Sequence, residues 1–255
     1  MGERKHGCQF RKQVFMAGHS KFKNIMYRKG AQDTKRAKIF ARVGREIMVA
    51  VGTGGNVDPN KNPRLRAALA LARSHNMPKE NIKKAIDKAL GGDTGDHMEE
   101  VVYEGYGPGG TAIIVETLTD NRNRTASEVR TPFTKLGGNL GETGSVAYLF
   151  DHVGFVMYPK AHVSFDVAFE FGADHHADDV LDEETHIRLI TPMETFANLR
   201  DACMERFGDP EDQGLVWLAK ATVDVPADKQ EQFDKLITKL EDLDDVQEVY
   251  SNENH

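Results

Sequence analysis

The run DTKRAKIFARVGREIMVAVG, Asp33 to Gly52, has the period of one amphipathic helix. Phe40, Val43, Ile47 and Val51 recur at i, i+3, i+7 and i+11, forming a single apolar stripe. Lys35, Lys38, Arg42 and Arg45 fall on the opposite side. Asp33 suits an N-cap and Gly52 a C′ residue. Almost no Asp or Glu shares the basic side, so the i,i+4 ion pairs of an ordinary surface helix are missing. A polyanionic partner would relieve the resulting repulsion.

Working outward, Gly52–Asn62 is a turn-rich loop, and Asn62-Pro63 is an N-cap and N1 pair opening a second helix, Arg64–Ser74. Its inward residues are Leu65, Ala68, Leu69 and Ala72, with Arg64, Arg66 and Arg73 outward. Met77-Pro78 breaks the chain and starts a third helix to about Leu90, stopped by Gly91-Gly92. Three helices with short connections make a small bundle. The Gly-rich loop follows a helix and lacks GxxxxGK[ST] or GxGxxG spacing, which argues against a nucleotide site. Ahead of the bundle, residues 16–31 interleave His19, Ser20, Lys21, Lys23, Arg28 and Lys29 with Phe22 and Tyr27 and contain no acid. Such a run suits phosphate contacts with stacking on exposed bases, or packing of the arm onto the bundle.

Charge divides sharply. Residues 16–90 hold 17 Lys and Arg against 5 Asp and Glu, whereas residues 91–255 hold 12 against 34, so a basic module precedes an acidic body. With 255 residues, 39% of them hydrophobic, two or three domains are expected. No apolar run approaches the roughly 18–20 residues of a membrane span. Cys8 and Cys203 are too few for a disulfide framework, which fits a reducing compartment. Residues 1–15 read as a disordered extension before Met16, or as a fragment of a transit peptide.

Beyond Val101 the period changes. Thr111–Thr119 reads as a buried strand and Arg124–Leu136 as a helix. Ser145–Phe150 and Gly154–Tyr158 read as a hairpin around Asp151-His152-Val153. A helix at Ser164–Gly172, a strand at His186–Thr191, a helix at Thr195–Phe207 and a strand at Leu215–Val225 follow. The chain closes with a helix at Asp228–Leu243 and a strand at Val246–Tyr250. The alternation suits ferredoxin-like α+β domains.

Several runs together carry a family resemblance: Met16-Ala-Gly-His-Ser-Lys21, Asn24-Ile25, Arg28-Lys29, Asp33-x-Lys35-Arg36-x-Lys38-x-Phe40 and Arg45-Glu46-Ile47. Asn62-Pro-Arg-Leu-Arg66, Asn76-Met-Pro-Lys-Glu-Asn-Ile82 and Gly137-Gly-Asn-Leu-Gly-Glu-Thr-Gly-Ser-Val146 agree. From Met16 to the C-terminus the chain resembles the YebC family of probable transcriptional regulatory proteins, which includes PmpR and a mitochondrial translational activator of cytochrome c oxidase. The resemblance implies an N-terminal helical domain, two α/β domains and no known catalytic activity. Members commonly have Trp where Phe22 stands, and they make a helix of the segment that here contains Pro132, where a kink or restart is expected.

The expected fold is therefore α+β multidomain: an N-terminal three-helix domain followed by two ferredoxin-like α/β domains. The divisions are an extension at 1–15, a basic helical domain at 16–95, a middle domain from 96–142 plus 218–255, and an inserted domain at 143–217. The expected nucleic-acid-binding residues are His19, Ser20, Lys21, Lys23, Arg28, Lys29, Lys35, Arg36, Lys38, Arg42, Arg45, Arg64 and Arg66. Arg122 and Arg124 join them as a basic island at a helix N-terminus beside the glycine-rich loop 137–144, or else neutralise acidic neighbours. Asp174-His175-His176-x-Asp178-Asp179 looks ligand-like, but adjacent side chains do not converge on one ion without a special loop, and a solvated turn is the simpler reading. No acid/base pair or nucleophile elbow stands out, so no enzyme, metal or cofactor is expected. The expectation is a cytoplasmic, DNA-binding transcriptional regulator, monomeric or weakly dimeric, with no membrane or small-molecule partner. The alternatives are a translation factor bound to rRNA or the ribosome, and a protein-interaction module.

Overall fold

The computed structural model describes residues 36–91 and 98–254, with side chains from residue 39 on. His19, Ser20, Lys21, Lys23, Arg28, Lys29 and Lys35 lie outside the described residues, as do Asp33, Phe22, Tyr27 and the extension 1–15; so do the side chains of Arg36 and Lys38.

Three helices open the described chain: α1 (Arg36–Gly54), α2 (Pro63–Ser74) and α3 (Lys79–Leu90). Val43, Ile47, Ala50 and Val51 of α1 pack with Leu65, Ala68 and Ala72 of α2 and Ala85 of α3. The period-3.6 stripe thus becomes the bundle core. α1 runs two residues past Gly52, and Gly55 takes the left-handed conformation at φ 57°. Asn62 caps α2 by accepting the Leu65 N–H at 3.0 Å, while its amide donates to Ala50 O at 2.6 Å and Asn56 O at 3.0 Å. One side chain therefore caps α2, ties down the α1–α2 loop and satisfies a carbonyl near the end of α1.

Next come β1 (Glu99–Tyr106), β2 (Ala112–Thr119), α4 (Arg122–Lys135) and β3 (Asn139–Leu140). The insertion holds β4 (Phe150–Pro159), α5 (Phe165–Asp174), β5 (Asp179–Asp182), β6 (His186–Pro192), α6 (Phe196–Phe207) and β7 (Asp212–Ala219), before α7 (Ala227–Glu241) and β8 (Val246–Ser251) close the chain. Two four-stranded sheets result, ordered β3-β1-β2-β8 and β5-β6-β4-β7. The α+β class holds. The described residues form two compact units, one of 151–218 and the other of 36–91, 98–150 and 219–254, so the bundle and the first sheet share a unit.

Within that unit, Ile113 and Val115 of β2 and Val246 and Val249 of β8 bury one sheet face against Val129 and Phe133 of α4 and Phe233, Leu236, Ile237 and Leu240 of α7. Residues on the alternate positions, among them Val102, Glu104, Tyr106, Glu116, Glu248 and Tyr250, share the other face by register. In the second unit, Val156, Tyr158, Ile187 and Leu189 bury one face against Ala168 of α5 and Leu199 and Cys203 of α6.

Several expectations are corrected. Only the second sheet has the βαββαβ order of a ferredoxin-like domain; in the first, β1 and β2 form a central hairpin, with β3 and β8 added outside. The hairpin expected at 145–158 does not form. Ala147–Leu149 is a short 3-10 turn, and β4 runs unbroken through Asp151-His152-Val153, pairing with β6 from Val153 onward. The strand expected at Leu215–Val225 ends at Ala219. Pro132 neither ends nor restarts α4, which carries it buried beside Val129 and Phe133. Strands β1 and β5 have no counterpart among the expected elements, and both carry acidic residues at positions that break an apolar alternation.

Candidate nucleic-acid interface

Arg42 and Arg45 do not face solvent freely. Their side chains are only 16% and 18% exposed, and their guanidinium nitrogens lie 4.0 Å from Glu248 and 3.7 Å from Asp245. Both distances exceed a hydrogen bond, and Arg42 Nη2 and Arg45 Nη1 are buried without a hydrogen-bond partner. The α1 face that lacks acids in its own sequence meets acids supplied by β8 and the turn before it. Tyr250 lies beside them: burial, with Glu116 and Glu248 nearby, pushes its hydroxyl well up, while Arg42 acts in the opposite direction. Arg64 is engaged in the same way, by Glu46 at 3.2 Å and by Glu100 of β1.

The basic residues that remain open are on α2, α3 and the lead-in to α2. Lys61, Arg66, Arg73, Lys79, Lys83, Lys84 and Lys88 are all exposed, and none makes an ion pair among the described residues. Only Glu80 and Asp87 offset them between residues 61 and 88. Helices α2 and α3 turn Leu65, Ala68, Ala72 and Ala85 to the core, which leaves six Lys and Arg on their outer surface against Glu80 and Asp87.

The basic island at α4 divides. Asn121 caps the helix by accepting the Arg124 N–H at 3.1 Å. Arg124 hydrogen-bonds Asp245 at 2.7 Å and Asp120 at 2.9 Å. Asp245 also accepts from Thr125 at 2.7 Å and Thr119 at 3.1 Å. Burial alone would raise the Asp245 carboxyl, but the Arg124, Thr125 and Thr119 hydrogen bonds outweigh it and hold the group below the usual carboxylate range. Arg124 is thereby a structural partner, its guanidinium raised further by the same carboxylates. Arg122 stays open, 67% exposed and 3.8 Å from an equally exposed Glu99, a pair of little energetic weight.

The glycine-rich loop after α4 is anchored rather than loose. Buried Glu104 accepts three backbone N–H bonds, from Gly144 and Ala147 at 2.7 Å and from Val146 at 2.8 Å. Gly141 N–H donates to Glu104 O at 2.8 Å, and Asn139–Leu140 pair with Tyr106 and Gly105. The clamped turn presents Tyr148, 62% exposed, next to Tyr106, 37% exposed. The Tyr106 hydroxyl donates to Ser145 O at 3.0 Å, and the neighbouring Tyr148 hydroxyl raises it above the ordinary tyrosine value. Neither Glu104 nor this pair stands out in the sequence; the one available signal is a charged residue inside the apolar run Val101–Tyr106.

Elsewhere, His175 stacks on Phe171 at 3.9 Å and bonds its carbonyl, and Asp179 Oδ1 accepts from Val180 N–H, so the histidine–aspartate run ends α5 and starts β5. Burial, with Asp151 and Asp179 close by, pushes Asp178 up. Among the described residues, no three His, Cys, Asp or Glu side chains group as metal ligands, and no helix is long and apolar enough to cross a membrane.

Against this geometry stand the comparisons with known proteins. Residues 20–92 match the model of the TACO1/YebC protein N-terminal domain. Residues 98–253 match a transcriptional-regulator model described as the TACO1/YebC second and third domain. The crystal structure of a conserved hypothetical protein from Aquifex aeolicus shares 41% sequence identity, with a TM-score of 0.72 over 86% of this chain and 90% of that one.

Proposed function

The chain belongs to the TACO1/YebC family, and on that premise we propose that it is a non-enzymatic regulator of gene expression that binds nucleic acid through its helical domain, as a transcriptional regulator on DNA. The observation that carries this reading is the cationic surface of α2, α3 and the lead-in to α2, seven exposed Lys and Arg without ion-pair partners among the described residues. Polyanion binding releases condensed counterions and relieves the repulsion that these charges otherwise impose on one another. Arg42, Arg45 and Arg64 hold the bundle to the acidic sheet instead of forming the binding surface.

A second reading is association with rRNA or the ribosome. Its support is that α2 and α3 offer mostly Lys and Arg, which suit phosphates, and few Asn or Gln side chains able to read base edges in a major groove. Such a surface recognises backbone shape.

The test replaces Arg66, Lys83, Lys84 and Lys88 by Gln. The slope of log affinity against log salt for duplex DNA should fall by up to about 3–4, roughly 0.9 for each phosphate that is no longer neutralised. A variant that melts like the parent and keeps the parental slope would place the interface elsewhere. Crosslinking in cells, with sequencing of the bound nucleic acid, separates DNA from rRNA.

A further inference from the structure

We infer that Tyr148 and Tyr106 form a preorganised stacking platform for an unpaired nucleobase, giving this protein a single-strand binding site separate from its cationic helices. The inference rests on the nucleic-acid reading above and narrows the class of target.

An exposed aromatic ring held in place offers a face on which a flat ligand can stack. Tyr148 exposes 62% of its surface from a segment that is otherwise held on every side. Val146, two residues earlier, is completely buried, and the N–H groups of Gly144, Val146 and Ala147 converge on Glu104. Leu149 O accepts the Lys220 N–H at 2.8 Å, and Leu149 N–H closes the turn onto Val146 O at 2.9 Å. A ring projecting from so constrained a turn loses little freedom when a ligand stacks on it, and this is how a fixed aromatic contributes affinity at low entropic cost. Tyr106 extends the platform, its hydroxyl donating to Ser145 O and lying beside that of Tyr148.

The surroundings favour a base over other flat ligands. Tyr106 lies on the sheet face where Glu100 meets Arg64 of α2; the two positions are six residues apart along β1, about 20 Å at the usual strand rise. A strand of nucleic acid on the α2 surface therefore reaches the platform within a few nucleotides. Of the carboxylates nearby, Glu104 is engaged by three amides, Glu248 by Arg42 and Glu100 by Arg64, while Glu142 of the loop is exposed. An aromatic face accepts any base, and duplex DNA keeps its bases stacked inside. The platform thus selects single-stranded segments.

The experiment measures binding of the full chain to a fluorescein-labelled 12-nucleotide oligouridylate and to a DNA duplex of equal length, across the same series of salt concentrations. Tyr148→Ala should weaken oligouridylate binding about 5- to 150-fold, the span of one base–aromatic stack, while duplex binding and the thermal melt stay unchanged. Tyr148→Trp should restore or strengthen it, which a loss of local folding would not allow. Equal affinities of parent and Tyr148→Ala for oligouridylate overturn the platform and leave the helical interface standing. Absence of salt-dependent binding to either probe by the parent overturns both readings. Tyr148-dependent binding of a labelled decaproline without any effect on oligouridylate would assign the aromatic surface to a protein ligand and refute the inference.

Discussion

Replacing Glu104 tests whether the clamp on residues 144–147 is as strong as its geometry requires. In Glu104→Ala three N–H groups lose their acceptor at once. Val146 N–H is buried and retains no substitute, a penalty of about 2 kcal/mol, the middle of the range for an unsatisfied buried donor. Gly144 and Ala147 N–H are only partly buried and gain water, at about 1 kcal/mol each. The total is about 4 kcal/mol, and for a unit of this size about 8–16 °C in Tm. Glu104→Gln keeps one acceptor oxygen, which can still serve Val146 and Ala147, but turns an NH2 toward Gly144; it should cost about half as much. Urea denaturation followed by circular dichroism gives the free energies, and amide hydrogen exchange locates them at residues 144, 146 and 147. A Glu104→Ala protein within about 1 kcal/mol of the parent, with those three amides still protected, would refute the reasoning.

Two further outcomes follow from other sites. Asn62→Ala removes the α2 cap and both donors to Ala50 O and Asn56 O, so it should destabilise by about 2–3 kcal/mol, whereas Asn62→Asp keeps the cap acceptor and should cost less; urea titration of both variants ranks them. His152 stacks on Trp217, the only tryptophan, at 4.2 Å, and burial lowers its pKa from 6.5 against a smaller opposing effect of Glu194. The unfolded chain therefore binds this proton first on acidification, so the contribution to stability is present above about pH 6.5 and is lost as pH falls through the depressed folded value. Tryptophan emission titrated from neutral to acid should show a transition below pH 6.5 that is absent in His152→Asn; a transition above 6.5, or one that survives the substitution, contradicts the burial argument.

By itself the sequence determined whatever depends on neighbours within a turn or two. The three helices, the Asn62-Pro63 start of α2, the α+β class and the division into a basic module and an acidic body follow from periodicity, capping chemistry and local charge, all encoded over a few residues. Tertiary structure alone decided which charges are available. Arg42, Arg45 and Arg64 look unpaired along α1 and α2, yet Glu248, Asp245 and Glu100 meet them from far along the chain, and Arg124 is taken by Asp245 in the same way. The sheet order β3-β1-β2-β8, the continuity of β4 and the clamp of Glu104 on residues 144–147 likewise need partners about 40 residues or more away in sequence. Coulomb attraction and hydrogen bonding depend on distance through space, whereas periodicity depends on distance along the chain; the first can be read only after folding has brought remote segments together.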